Sequence, residues 1–100
     1  MRKFKNFGEF YPFYLQQHQN RYCRRMHFIG SSCVLLVLLI CLMTQYWALI
    51  LLAPLFGYGF AWFGHFCYEG NKPATFTYPL YSFFADWVMF RDIITRKVSI

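Results

Sequence analysis

FIGSSCVLLVLLICLMTQYWALILLAPLFGYGFAWFG, from Phe28 to Gly64, holds 37 residues without one charged side chain. A membrane-spanning helix needs roughly 20 predominantly apolar residues, so the run is too long for one crossing and just long enough for two. Its most polar point, Thr44-Gln45, falls near the middle. The stretch reads as a helical hairpin: a first helix from about Arg24 to Met43, a turn, and a second from about Tyr46 to Glu69. Pro54, Gly57, Gly59 and Gly64 give the second helix a kink and close neighbours, because small residues let membrane helices approach. The run starts after 27 residues, exceeds the apolar part of a signal peptide and lacks a small-residue cleavage pattern, so it is not read as a cleaved leader.

The flanks agree with a bilayer. Of 100 residues, 58% are hydrophobic, 24% aromatic and only 14% charged, which excludes a disordered chain and leaves too little polar material to cover a small water-soluble globule. The net charge of +6 comes from clusters beside apolar segments: Arg2, Lys3 and Lys5, then Arg21, Arg24 and Arg25, then Arg91, Arg96 and Lys97. Such clusters bind anionic lipid, and no nucleic-acid fold signature surrounds them. Basic flanks and an uncharged turn place both termini in the cytoplasm by the positive-inside rule. Cys23, Cys33, Cys41 and Cys67 form no CxxC pair or zinc-finger spacing and read as small buried hydrophobes.

The expected architecture is therefore all-α, a single membrane domain over residues 1–100: a transmembrane hairpin (24–69) between an N-terminal amphipathic helix (1–23) and a loop with a C-terminal amphipathic helix (70–100). Phe4, Phe7, Tyr11, Tyr14 and His18 recur at helical spacing and form one face, suited to aromatics in the headgroup layer. Pro12 fits a first turn, which starts the regular helix near Tyr11. Gly70 and Pro73 stop the hairpin, 71–79 reads as loop, and Leu80 to Thr95 reads as the last helix.

Three histidines fall at one predicted depth. His18 ends the first amphipathic helix, His27 begins the first span, and His65 lies near the end of the second with Glu69 one turn on. His18 and His27 can converge only if the chain bends at Gln19-Asn20-Arg21. A histidine at a membrane interface is ordinarily just an amphipathic side chain, but imidazoles with a carboxylate also suit a first-row transition metal, and open positions suit Fe(II) and oxygen. Asp86 stands as a ligand, a partner for a histidine N–H, or a polar residue of the last helix. Ser-hydrolase, P-loop and dinucleotide motifs are missing.

FYLQQHQNRYCRRMHFIG (Phe13–Gly30) and GYGFAWFGHFCYEGNKPATFTYPLYSFFADWVMF (Gly57–Phe90) resemble the small membrane proteins related to the fungal 2-hydroxy fatty acid dioxygenase of phytosphingosine breakdown. Where relatives often read HxNPxN, this chain has Arg21 for Pro and Cys23 for the second Asn. The resemblance implies Fe(II)-dependent α-oxidation, in which O2 shortens a 2-hydroxy fatty acid by one carbon. It implies His18, His27 and His65 as iron ligands, with Glu69 as fourth ligand or base; Lys72, by its place after the hairpin, is positioned to pair with the substrate carboxylate or to snorkel at the interface. The acyl tail is expected between the hairpin helices, against Phe60, Phe63 and Phe66. The alternative is a non-enzymatic membrane interaction or scaffold protein, with a haem-binding variant using two histidines as axial ligands.

Overall fold

The computed structural model describes residues 4–100, and every regular element in them is helical. Helix α1 spans Phe7–Gln16, α2 Arg21–Thr44, α3 Leu52–Gly64 and α4 Pro79–Ile94. A 3-10 turn, Trp47–Leu51, leads into α3, and a π-helical turn, His65–Glu69, continues it. A second 3-10 turn, Ala74–Phe76, precedes α4. Arg2 and Lys3 of the first basic cluster lie outside the described residues.

Local signals set the boundaries. Asn6 caps α1 by accepting the Glu9 N–H at 3.0 Å, while the Glu9 carboxylate takes the Lys5 N–H at 3.1 Å. That cap starts α1 four residues before the position expected from Pro12. Proline is tolerated inside because the carbonyl it deprives, on Gly8, is exposed and can be solvated. Asn20 caps α2 by accepting from Tyr22 N–H at 2.8 Å and Cys23 N–H at 3.3 Å. The polar turn ends α2, with Gln45 left-handed at φ 59°. Gly70 at φ 71° closes the second long helix, a conformation glycine adopts without Cβ strain.

Both α2 and the continuous stretch Trp47–Glu69 are long and apolar enough to cross a membrane. At about 1.5 Å per residue the 24 residues of α2 extend about 36 Å, a little beyond a hydrocarbon core of roughly 30 Å. Leu36, Leu39, Leu42, Leu51 and Leu55 point outward, as lipid-facing side chains do. The two helices form the most extensive interface in the molecule, and small residues bring them together. A Cβ on Gly30 would lie 3.1 Å from the Gly57 carbonyl oxygen and 3.2 Å from that of Phe56. At the other end, a Cβ on Gly64 would lie 3.2 Å from Cys23 Cα.

A second core lies beside the hairpin. Phe10 and Tyr14 of α1 are buried with Ala85, Met89 and Ile93 of α4. The aromatic side of α1 therefore packs on protein, rather than lying in a headgroup layer: the Phe10 and Tyr81 rings stand 5.3 Å apart and those of Phe4 and Tyr78 5.2 Å. Two polar links fix the register, with Tyr11 OH donating to Asp92 at 2.7 Å and Tyr14 OH donating to Asp86.

Gly30→Val should lower stability by about 1–3 kcal/mol, because the added atoms meet backbone carbonyls that cannot rotate away. Gly59, where a Cβ meets nothing within 4 Å, is the control, and Gly59→Ala should leave the melting temperature in detergent unchanged or raised. Equal melting of G30V and G59A would remove the close approach at Gly30 from the fold's requirements.

Candidate metal centre

Each histidine reaches the centre from a different segment. His18 lies in the turn between α1 and α2, His27 in the second turn of α2, and His65 opens the π-helical turn. His27 Nε2 stands 3.0 Å from His18 Nε2 and 3.2 Å from His65 Nε2, and all three side chains are buried. The chain does bend between His18 and His27, and Arg24 clamps that bend by donating to the His18 carbonyl at 2.9 Å and the Gln19 carbonyl at 2.7 Å. Arg24 is thus committed to the turn as well as to the positive flank.

The opposite ring nitrogens decide where the protons sit. His18 Nδ1 is 2.6 Å from the Tyr14 carbonyl oxygen, which can only accept, so Nδ1 carries the hydrogen. Asn71 Nδ2 donates to the Gln17 carbonyl at 3.2 Å and to Gln17 Oε1 at 3.1 Å. That orientation turns Asn71 Oδ1 toward His65 Nδ1, 2.7 Å away, and protonates that nitrogen too. His27 Nδ1 faces Asp86 Oδ1 at 3.5 Å, and the same oxygen accepts from Tyr14. The Nε2 atoms of His18 and His65 are left with lone pairs, both aimed at His27 Nε2 between them. A single cation bound by all three Nε2 atoms would satisfy the cluster.

The donor set fits a transition metal. Ligand nitrogens about 2.1 Å from one ion at right angles stand about 3.0 Å apart, close to the observed separations. Cys23, a small buried hydrophobe by its sequence context, also joins the group: its Sγ and the three imidazole nitrogens lie within 4.8 Å of one another. Its thiol is fully buried at the Gly64 crossing. Imidazole suits iron, zinc or copper, and a thiol beside it disfavours magnesium or calcium.

The other sequence-selected residues stand elsewhere. The Glu69 carboxylate accepts the Asn20 N–H, bracing the cap of α2 against the end of the π turn, and lies outside the four-donor group. Lys72 is exposed beside Phe13, Gln17 and Thr77, and no ion pair joins it to Glu69 among the described residues. Phe60 and Phe63 line a separate groove with Met26 and Leu55, and Phe66 is exposed, so these rings do not border the imidazoles. Asp86 is the carboxylate that faces a histidine N–H. Tyr14 and Asn71 escaped the sequence reading; Tyr14 had one signal, its helical spacing to His18, with which it stacks at 4.0 Å. Asn71 had none, since it follows a left-handed glycine.

Burial first, and then the His27 and His65 imidazoles, hold the His18 ring well below its ordinary 6.5. The unfolded chain takes up a proton there near pH 6.5, and the metal-free folded protein does not. Stability therefore rises with pH where the unfolded state binds more protons. Metal-free protein should lose stability as the pH falls below about 6.5 and hold it above, and His18→Gln should flatten that slope in thermal melts read against pH.

Comparison with curated proteins and with solved structures gives no match. A family model described as 2-hydroxy-palmitic acid dioxygenase Mpo1-like matches residues 4–98. The matched span carries all three imidazoles together with Tyr14, Asn71 and Asp86 behind them, and the chain belongs to the Mpo1-like family.

Proposed function

We propose that this protein is a membrane-embedded iron dioxygenase that shortens a 2-hydroxy fatty acid by one carbon. The observation that carries the reading is the set of three buried imidazoles whose Nε2 atoms face one another at 3.0 and 3.2 Å, in a chain of a family described as a 2-hydroxy-palmitic acid dioxygenase. His18, His27 and His65 would hold Fe(II). Bound there, the ion would supply activation of O2 beside a chelated α-hydroxy carboxylate. The basic flanks orient both termini to the cytoplasm, with lipid around the hairpin.

The protein's own groups prepare the site. Tyr14 serves twice: its carbonyl fixes the His18 tautomer, and its hydroxyl orients the Asp86 carboxylate toward His27. Asn71 does the same for His65. Such partners keep imidazole rings aimed and raise their basicity. Burial under α1 and α4 keeps bulk water from the Nε2 atoms. Glu69 acts here as a brace on the Asn20 turn. A haem reading fits poorly, because axial donors flank a macrocycle and imidazole nitrogens 3.0 Å apart leave no room for one.

Two measurements test this. His65→Ala should abolish both bound iron and oxygen-dependent turnover of 2-hydroxyhexadecanoic acid while helix content by circular dichroism stays; Asp86→Asn should weaken iron binding about 10–100-fold. Full iron in H65A would remove that residue from the site. Glu69→Gln keeps an acceptor for the Asn20 N–H and should retain iron with turnover reduced by less than about tenfold, the range of one ordinary hydrogen bond. A far larger loss in E69Q, with iron retained, would make Glu69 a catalytic group.

A further inference from the structure

A cavity of about 270 Å³ opens beside the imidazoles, walled by one stripe from each of three helices. His27, Ser31 and Val34 come from α2 at steps of four and three, so they share one face. Ala53 and Gly57 of α3 form the opposite wall, and Phe83 and Trp87 of α4 the third. Polar groups gather at one end, where His27 and Asp86 belong at once to the cavity and to the metal centre. The walls running away from them are mainly apolar. Val34 lies seven residues beyond His27, so the cavity follows the helix for about 10 Å toward the hairpin turn.

We infer that this cavity takes the proximal alkyl chain of a 2-hydroxy acid, which enters sideways from the lipid between α3 and α4. The inference rests on the dioxygenase reading for its head group, which meets the metal centre at His27. The shape fits such an occupant: polar at one end, apolar along its length, parallel to the neighbouring acyl chains. The route follows from the packing. α4 rests on α1, α2 and the Ala74–Phe76 turn and has no extensive contact with α3, leaving that side open. Phe83 lines the cavity and is also half exposed, which sets it at the mouth. The volume is below the roughly 300–1,000 Å³ of pockets that enclose a drug-sized ligand, so the distal carbons of a long chain remain outside, among lipid. Selection therefore acts on the hydroxy acid head and the first carbons, while longer chains are treated alike.

The test uses the full iron-loaded protein in phosphatidylcholine nanodiscs, with 2-hydroxyhexadecanoic acid and lactic acid as probes. Ala53→Phe fills the far end of the cavity without touching the metal centre. It should weaken binding of the long acid by about tenfold or more, the scale of steric discrimination in an apolar pocket, and leave lactate binding and iron content unchanged. Unchanged affinity for the long acid, or an equal loss for lactate, overturns the inference. A second measurement does not depend on A53F folding. A 2-hydroxy acid brominated at a proximal carbon should quench the wild-type protein strongly and Trp87→Phe only weakly, since Trp87 is a wall and the other two tryptophans are not. Equal quenching of both proteins also overturns it. Turnover that persists while A53F binds the long acid normally removes the cavity and keeps the dioxygenase reading; Trp87 quenching with no oxygen uptake keeps the cavity and removes that reading.

Discussion

Three buried imidazoles turned toward one another are the constraint around which this protein is arranged. Any one of them could be an ordinary buried histidine. Together their Nε2 atoms meet at 3.0 and 3.2 Å, and those of His18 and His65 both offer lone pairs to the centre. Holding them there needs an acceptor behind every ring, and those acceptors come from α1, α4 and the loop after Gly70. The fold outside the hairpin is largely the means of delivering those three acceptors.

Two kinds of packing meet at this point. The hairpin is joined as membrane helices are, by glycines that let backbones touch, with leucines turned outward. The α1–α4 layer is joined as in water-soluble proteins, by buried rings and tyrosine–carboxylate links at Asp86 and Asp92. The polar cluster sits at the seam between them. A buried polar network is favourable only when every member is satisfied, and here the ring nitrogens facing away from the centre all have partners.

Much of this architecture is legible in the chain. The uncharged run has the length of two helices, and Thr44-Gln45 marks the break between them, because backbone hydrogen bonding and hydrocarbon thickness leave few alternatives. The common depth of His18, His27 and His65 follows from that hairpin. The rest depends on tertiary contacts that carry no periodic signal. Cys23 looks like any buried thiol until Gly64 brings the second helix against it. Asn71 reaches His65 only because five residues wind as a π turn and Gly70 then turns left-handed. Glu69, one turn after His65 by α-helical counting, meets the Asn20 N–H instead, a partner that only the folded bend between α1 and α2 supplies. Phe60 and Phe63 have the right composition for a tail site but lie on the wrong side of α3.

The links from α1 to α4 join residues 72 and 81 positions apart, across the whole hairpin. During synthesis the two long helices can leave the ribosome while α4 is still within it, so the hairpin comes first and completion of the centre last. A nascent chain holds His18 and His27 without the Asp86 that orients one of them. A chain that ended before Asp86 would keep the hairpin but lack the carboxylate that faces His27 and the α4 surface on which α1 packs, so a complete centre belongs only to a molecule whose last helix has docked.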